Sequence, residues 1–314
     1  MPTIAFGPVP SRRLGRSLGI NHIPPKVCTY SCAYCQLGRT NRMRAKRQTF
    51  YEPVAVEAAV RGQIAAARES GEPMDFLAFV PDGEPTLDLN LGRSVRALRT
   101  FGIPIAVITN GSLLDDPEVR ADLAEADWVS VKVDAVREDC WRRIDRPHGS
   151  LVLEPILEGA RRFAASFTGD LHTETMLLDG VNDDEEELRA TARFLGGIRP
   201  KTAYVSVPTR PPAEGWARGP GEGALARAYE IFRESLPRVE LLTGYEGDAF
   251  ASSGDAKRDL LSITAVHPMR ESAVLSTLAK SGVGWEVVLE LIQAGELVEV
   301  GHGSHRYYLR PVSH

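Results

Sequence analysis

The chain has 314 residues, enough for one large α/β domain and a small appendage, and its 43% hydrophobic and 25% charged residues are ordinary for a globular protein. Its formal net charge of −5 gives no global attraction for nucleic acid, and no apolar run approaches the roughly 20 residues that span a bilayer. The first ten residues do not resemble a secretory leader, and four cysteines do not make a disulfide framework in a chain this long. We therefore expect a cytoplasmic protein without membrane association.

The middle of the chain alternates short β-rich runs with helical patterns, which predicts a parallel sheet of βα units. The predicted strands are 17–23, 75–80, 103–109, 128–134, 171–178 and 203–209. The predicted helices are 53–69, 89–100, 116–126, 151–167, 184–195 and 222–236. Six units are too few for a closed eight-stranded barrel and too regular for an α+β fold. The prediction is an α/β fold with a partial (β/α)6 TIM-type barrel over 1–250 and a site at the carboxyl ends of its strands.

The pattern changes after about residue 250. A polar connection at 247–257 precedes helical patterns at 270–282 and 284–297, and two short strands surround a glycine-rich tip within 297–310. This order is typical of a winged helix, so we predict a small winged-helix module over 251–314. Its second helix has Glu286 and Glu290 but no Lys or Arg, which favours contact with protein over contact with a phosphate backbone.

Three of the four cysteines lie together in "KVCTYSCAYCQLGRT", residues 26–40, just after the first predicted strand. Cys28, Cys32 and Cys35 offer three soft ligands on one short loop. Structural zinc normally takes four ligands in two pairs, and neither His22 nor Cys140 completes such a set. Three thiolates suit a [4Fe–4S] cluster in which one iron stays open to a small molecule. A structural zinc or inert buried thiols are the alternatives.

With Tyr34 before the last cysteine, this loop resembles the cluster loop of the radical S-adenosylmethionine (SAM) superfamily. The resemblance implies that the open iron binds the amino and carboxylate groups of SAM. It also implies that an electron donor of flavodoxin or ferredoxin type reduces the cluster. SAM is then cleaved to methionine and a 5′-deoxyadenosyl radical, which abstracts hydrogen from the substrate.

A second motif, "DGEP" at 82–85, follows the next predicted strand. Gly83 permits close approach of the backbone to a ligand, and Glu84 places a carboxylate where an ammonium could bind. Together with Pro85 they resemble the Gly-Glu-Pro segment with which the superfamily contacts the SAM amino group. Taken alone, the segment could equally be a turn between strand and helix.

Polar residues also end the third and fourth predicted strands. Thr109 and Asn110 resemble SAM-contact positions, although an ordinary βα loop has the same composition. Lys132 and Asp134 lie on the same side of one strand because side chains alternate with period two. They could orient the SAM carboxylate or ribose, or form a structural ion pair inside the barrel.

The segment "RRIDRPH" at 142–148 resembles part of the radical SAM enzymes that build the wyosine base of tRNA, as does the layout over 9–212. The stretches at 7–26 and 205–214 are similar to an uncharacterised prokaryotic, wyosine-synthetase-like branch. Arg146 and His148 are then candidate substrate contacts at the barrel mouth, although Pro147 also explains a helix-ending turn. Wyosine synthetases hold a second cluster, which Cys140 alone cannot do, so pyruvate-dependent ring closure is not carried over.

The substrate is left open as a tRNA base or another small molecule. Five basic residues within 39–47 could contact phosphates, but a solvated surface segment has the same composition, so RNA is not favoured. Two other classes of function stay open. One is an iron–sulfur redox sensor whose winged helix binds DNA, and the other is a zinc-stapled RNA-binding protein. The radical SAM enzyme is the prediction that also uses the barrel and "DGEP".

Overall fold

The computed structural model describes residues 4–244, 250, 254–266, 268–302 and 304–311. Within these residues the strands are β1 (Ala5–Ser11), β2 (Gly15–Ile20), β3 (Val27–Cys28), β4 (Arg42–Met43), β5 (Phe76–Phe79), β6 (Ile105–Thr109), β7 (Trp128–Lys132), β8 (Asp170–Met176), β9 (Thr202–Ser206), β10 (Val239–Leu242), β11 (Met269–Arg270), β12 (Val298–His302) and β13 (His305–Leu309). The α-helices are α1 (Pro53–Glu69), α2 (Leu91–Leu98), α3 (Pro117–Leu123), α4 (Glu138–Ile144), α5 (Leu153–Ser166), α6 (Glu185–Ile198), α7 (Glu222–Ser235), α8 (Ala256–Val266), α9 (Glu271–Lys280) and α10 (Glu286–Gln293).

The main sheet has eight strands in the order β1-β2-β5-β6-β7-β8-β9-β10. Only β1 is antiparallel to its neighbour, and the other pairs are parallel. The six predicted strands are confirmed as β2 and β5 to β9, and the six predicted helices as α1, α2, α3, α5, α6 and α7. The predicted strand count was too low, because β1 and β10 widen the sheet by one strand at each edge. Strand β1 contains Pro8 and Pro10, which an edge strand tolerates because one row of its N–H groups needs no partner.

The two faces of the sheet are filled differently. Apolar residues of the central strands, such as Leu77 and Phe79 of β5, pack with the surrounding helices in one large core. On the other face a smaller cluster forms, in which the ring of His172 stacks on Trp128 at 4.7 Å and on Tyr204 at 5.7 Å between centroids. These three rings come from the first half of β7, β8 and β9. The three rings fill this part of the inner face of the sheet. The polar residues that the same strands place on that face therefore lie nearer the carboxyl ends.

Arg12, in the turn between β1 and β2, connects the two edges of the sheet. Its Nη1 donates to the carbonyl oxygens of Leu242 at 2.7 Å and Gly244 at 2.9 Å, at the end of β10. The first and last regions of the strand order therefore meet in space without pairing as strands. This is the curvature of a partial barrel, and it places the carboxyl ends of the parallel strands around one opening.

The C-terminal elements form a second, smaller group. Strands β11, β13 and β12 make a three-stranded antiparallel sheet, and helices α8, α9 and α10 pack with it in a separate core. The helices predicted at 270–282 and 284–297 are confirmed as α9 and α10, whereas α8 was not predicted. Of the predicted connection at 247–257, residues 247–249 and 251–253 lie outside the described residues. Phe6 and Val9 of β1 belong to this second core, so the C-terminal group packs on the added edge strand.

No helix in the described ranges is both long enough and apolar enough to cross a membrane.

Candidate metal centre and cofactor site

The loop with the three cysteines lies over the carboxyl ends of the central strands. Its backbone is fixed at several points: the N–H of Glu84 donates to the carbonyl of Val27 at 3.1 Å, and the N–H of Ala33 donates to that of Ile144 at 2.8 Å. Cys28, Cys32 and Cys35 are all partly buried and form no disulfide. The structure thus brings three free thiols to the edge of the sheet at which a site was expected.

The number of thiols bears on the kind of metal centre that they could hold. In the part of the chain that the structure describes, no three His, Cys, Asp or Glu side chains converge as ligands of one metal ion. A structural zinc takes four ligands and the loop offers three thiols, whereas a [4Fe–4S] cluster with one iron open to a small molecule would take three. The donor set fits the cluster better than it fits zinc.

Each sulfur has a polar neighbour. The amide of Asn110 donates to Cys28 Sγ at 3.7 Å, the ammonium of Lys26 donates to Cys35 Sγ at 3.4 Å, and Cys32 Sγ donates to Asp145 Oδ1 at 3.4 Å. Burial and then the charge of Glu84 raise the pKa of the Cys28 thiol to about 12. Burial, followed by the charge of Asp145, also raises the pKa of Cys32. At Cys28 and Cys32 the thiolate is therefore unfavourable unless a cation binds it, which an iron cluster would provide.

Glu84 is 1% exposed and lies between the ends of β5 and β6. Its Oε1 accepts from Thr86 N at 3.0 Å, Thr86 Oγ1 at 2.7 Å and Thr109 Oγ1 at 2.5 Å, and its Oε2 accepts from Asn110 N at 2.8 Å. Burial raises the pKa of this carboxyl, and the four hydrogen bonds oppose that rise. The carboxylate joins two strand ends and leaves acceptor capacity only at Oε2.

Gly83 and Pro85 have local structural reasons to be present. A Cβ on Gly83 would lie 1.9 Å from the carbonyl oxygen of Val27, so the close approach there is to the backbone of the cysteine loop. Pro85 begins a short 3₁₀-helix and is buried, and its carbonyl lies 3.3 Å from Nε2 of His22. Burial lowers the pKa of His22 to about 4, so the imidazole is a neutral core group.

A hydroxyl that sequence reasoning missed completes this part of the site. Thr29 lies between Cys28 and the β6 loop, where its Oγ1 accepts from Asn110 Nδ2 at 2.8 Å and from Ser112 Oγ at 2.7 Å. Asn110 therefore contacts Glu84, Thr29 and Cys28 at once. Thr29 lies inside the cysteine spacing, but nothing in that spacing distinguishes it from an ordinary loop residue.

Lys132 pairs with Glu174 rather than with Asp134. Its Nζ lies 3.3 Å from Glu174 Oε1 and 4.6 Å from the centre of the Tyr34 ring. Arg13, from the β1–β2 turn, pairs with the other oxygen of Glu174. Burial lowers the pKa of Lys132, but the charges of Glu174 and Asp134 outweigh it and raise the pKa overall, so the ammonium stays protonated.

Glu174 is the carboxylate at the centre of this group. Burial raises its pKa, but Arg13 and Lys132 lower it by more, to about 2, and Ser206 Oγ donates to it at 3.1 Å. Neither Arg13 nor Glu174 was predicted as a site residue. Because side chains alternate along β8, Glu174 lies on the same face as His172, and this alternation could have identified Glu174 from the sequence. Nothing in the sequence distinguished Arg13 from the other arginines of its segment.

Asp134 and Tyr34 form a second polar contact above the sheet. Asp134 Oδ2 accepts from the Tyr34 hydroxyl, and Oδ1 accepts from the N–H of Met176 at 2.7 Å. Burial and the adjacent Asp134 raise the pKa of Asp145 well above its usual range. Tyr34, Asp134 and Asp145 thus connect the β7 end directly to the cysteine loop.

The two predicted substrate contacts have different surroundings. Arg146, at a left-handed φ of 46°, donates to the carbonyl of Ser31 at 2.8 Å and pairs with Glu214 at 2.7 Å. His148 is partly buried, and its Nδ1 lies 2.8 Å from Ser150 Oγ. It borders an open groove of about 680 Å³ that Arg44 and Lys46 also line. Arg146 therefore supports the cysteine loop, and His148 is the one of the two that lines the groove.

The remaining cysteine lies away from this group. Cys140, on α4, is 4% exposed, and its Sγ contacts the carbonyl of Val181 at 3.3 Å. The prediction of a small buried residue at this position is confirmed, and Cys140 is not a neighbour of the cysteine loop in any described contact.

Comparison with known proteins agrees with this geometry. Residues 23–194 match the family model described as the radical SAM superfamily. A UPF0026 protein of Methanocaldococcus jannaschii is 43% identical over 312 residues, which are 99% of this chain and 97% of that protein.

Solved structures share the fold. A radical SAM methyltransferase from Sphaerobacter thermophilus has a TM-score of 0.54 at 20% identity, over 72% of this chain and 66% of that one. The structure of TYW1 with a lysine–pyruvate adduct bound has a TM-score of 0.56 at 16% identity, over 70% of this chain and 74% of that one. Identities this low show a common fold and do not place the chain in the wyosine branch.

The cofactors of the superfamily are a [4Fe–4S] cluster and SAM, and its members are enzymes. The cysteine loop, the partial barrel and the match over more than half of the length lead to one conclusion: the chain belongs to the radical SAM superfamily and, within it, to the UPF0026 family.

Proposed function

We propose that Cys28, Cys32 and Cys35 bind three irons of a single [4Fe–4S] cluster and leave the fourth iron to SAM. The observation that supports this most directly is the set of three free, partly buried thiols held over the strand ends, each with a polar neighbour at its sulfur. Cluster and SAM together supply reductive SAM cleavage and the hydrogen abstraction that follows. The protein holds the reactants in place and excludes water.

The residues around the loop have distinct roles in this proposal. Glu84 fixes the ends of β5 and β6, and its free capacity at Oε2 faces an ammonium such as that of SAM. Asn110 and Thr109, bound to Glu84, keep the SAM-facing edge of the loop in place. Lys132, together with Tyr34 and Asp134, orients the carboxylate or ribose of SAM. Gly83 and Pro85 give the strand end the shape that lets the loop pack on it.

The surroundings of Lys132 do not favour formation of an imine with a keto acid. A lysine that forms a Schiff base needs a lowered pKa, whereas the charges of Glu174 and Asp134 raise the pKa of Lys132. The adduct in the TYW1 structure is therefore not carried over to this residue, and we propose no wyosine ring closure.

The substrate is proposed to approach along the groove beside His148, with Arg146 fixing the loop behind it. The lining includes Arg44 and Lys46, which favours a substrate with negative charge. A small molecule or a nucleobase fits the proposal, and whole RNA is not favoured. The electron donor is proposed to be of flavodoxin or ferredoxin type, and the location cytoplasmic, where free thiols persist.

We further propose two domains, a radical SAM barrel over 1–250 and a winged helix over 251–314. The order α8, β11, α9, α10, β12, β13 with a three-stranded antiparallel sheet supports the second. Helix α10 has an acidic surface, and in the β12–β13 hairpin, which would be the wing, Arg306 is paired with Glu271 at 3.1 Å. These features favour contact with protein or with the barrel, and the comparisons give no support to a DNA-binding redox sensor.

The deciding experiment is anaerobic. The protein is reconstituted with iron and sulfide, reduced with dithionite, supplied with SAM and assayed for 5′-deoxyadenosine by chromatography. We expect the nucleoside from the wild type and none from Cys32→Ala, with Cys140→Ala as the matched control that keeps activity. Equal yields from Cys32→Ala and the wild type would contradict the proposal, as would a wild type that binds no cluster.

A further inference from the structure

Lys26 combines a buried charge with an unusual partner. The residue is 3% exposed, and its ammonium donates to Cys35 Sγ at 3.4 Å and to the carbonyl of Gly38 at 2.6 Å. Among the described residues it forms no ion pair with a carboxylate. The buried carboxylate of Asp82 interacts with Lys26 through its charge but forms no ion pair with it. A buried ammonium is costly without a negative charge in direct contact, so the missing negative charge requires an explanation.

The backbone of Lys26 has an unusual conformation that contacts with other segments keep in place. Its φ of 61° lies in the left-handed region, which lysine rarely adopts. The N–H donates to the carbonyl of Asp82 at 2.9 Å, and the carbonyl accepts from the N–H of Arg42 at 3.3 Å. Both sides of the peptide are thus fixed, and the side chain is directed under the cysteine loop. Strain and a buried charge at one residue are typical of a functional position.

The thiolate of Cys35 supplies the missing negative charge once the cluster is bound. Reduction adds one electron to the cluster and breaks no bond, so the site becomes more negative by one charge. A fixed cation within hydrogen-bond distance of a ligand sulfur stabilises the reduced form more than the oxidised form. Hydrogen bonds to the sulfurs and nearby charge are among the factors that set the potential of iron–sulfur clusters.

We propose that Lys26 is a positioning residue that holds the Cys35 thiolate and raises the reduction potential of the cluster, making it easier for the electron donor to reduce. This rests on the proposed function, in which Cys35 is a cluster ligand. The "K" in "KVC" lies two residues before Cys28 and gave no signal in the sequence, because the contact with Cys35 depends on the path of the loop.

The test is an EPR-monitored redox titration of the reconstituted protein without SAM. Lys26→Met removes the charge, Lys26→Arg keeps it, and Lys46→Met is the matched control, since Lys46 is an exposed lysine of the segment that follows. We expect Lys26→Met to shift the reduction equilibrium about tenfold toward the oxidised cluster, which is about 59 mV for a one-electron couple. Lys26→Arg should recover most of this shift, and Lys46→Met should leave the potential unchanged.

The outcomes separate this inference from the function on which it rests. A Lys26→Met protein with a full cluster and the wild-type potential would overturn the inference and leave the proposed function intact. A wild type without any cluster signal would overturn both. If Lys26→Met binds no cluster, Lys26→Gln replaces it; a wild-type potential in that variant refutes the role of the charge. If both neutral variants lose the cluster and Lys26→Arg retains it, the result supports the proposal that the charge of Lys26 holds the Cys35 thiolate in place.

Discussion

The substitution Glu84→Ala distinguishes a carboxylate that joins strand ends from one that only binds SAM. In the structure Glu84 accepts four hydrogen bonds, two from backbone N–H groups and two from threonine hydroxyls. The hydroxyls can turn to other acceptors, but the N–H groups of Thr86 and Asn110 would be left without a partner. Each buried group without a partner costs about 1–3 kcal/mol, so the gross loss is about 2–6 kcal/mol.

Part of this loss of stability is recovered. Burial disfavours the charged carboxylate and so raises the pKa of Glu84, and the substitution removes this unfavourable desolvation. We therefore expect a net loss of about 2–4 kcal/mol. At about 2–4 °C per kcal/mol, the melting temperature of the cluster-free protein should fall by about 4–16 °C. The measurement is scanning calorimetry, with SAM binding to the reconstituted protein followed by titration calorimetry.

The matched control is Glu154→Ala, because the Glu154 side chain is 75% exposed and its change should stay within about 0.5 kcal/mol. An unchanged melting temperature in Glu84→Ala together with weaker SAM binding would refute the structural argument. It would mean that the carboxylate serves only to bind SAM and that the four hydrogen bonds have no net effect on stability.

Three further predictions concern other parts of the site. The pKa of Glu174 is lowered from 4.5 to about 2, so its stabilisation is full above about pH 4.5 and is lost as the pH falls toward 2. In urea unfolding of the cluster-free protein, the stability advantage of the wild type over Glu174→Gln should therefore shrink by about 3 kcal/mol between about pH 5 and pH 2; a constant difference would contradict it. Gly83→Ala should reduce the iron bound per chain, because its Cβ would lie 1.9 Å from a loop carbonyl, whereas Gly62→Ala, with open space around it, should bind iron normally. Arg12→Met should accelerate amide hydrogen exchange in β10, and unchanged exchange would mean that the edge strand does not depend on this contact.

The sequence predicted the parallel strands because each is a short apolar run followed by an amphipathic helix. It missed β1 and β10 for a physical reason: edge strands bury less, and the prolines of β1 are compatible with an edge but not with a central strand. Helix α8 was missed because its segment adjoins a polar connection that obscured the helical period.

The site was predicted in part. Cysteine spacing and the segments at strand ends are local patterns, so Cys28, Glu84 and Asn110 could be identified and do lie together. Contacts between distant segments are not encoded in local spacing. Nothing in the sequence indicates that Arg13 and Lys132 share Glu174, or that Lys132 pairs with Glu174 instead of Asp134. Their roles in SAM binding stay predictions.

One segment that follows β9 connects the cysteine loop with the C-terminal group. The N–H of Glu214 donates to the carbonyl of Ala33 at 3.0 Å, and its carboxylate binds Arg39 and Arg146, each at 2.7 Å. Five residues earlier, the carbonyl of Thr209 accepts from the Tyr307 hydroxyl at 2.8 Å. The family model ends at residue 194, yet the Methanocaldococcus relative aligns across 99% of the chain. The support of the cysteine loop therefore includes residues beyond the end of the family-model match, and the C-terminal group contacts the same segment that supports the loop.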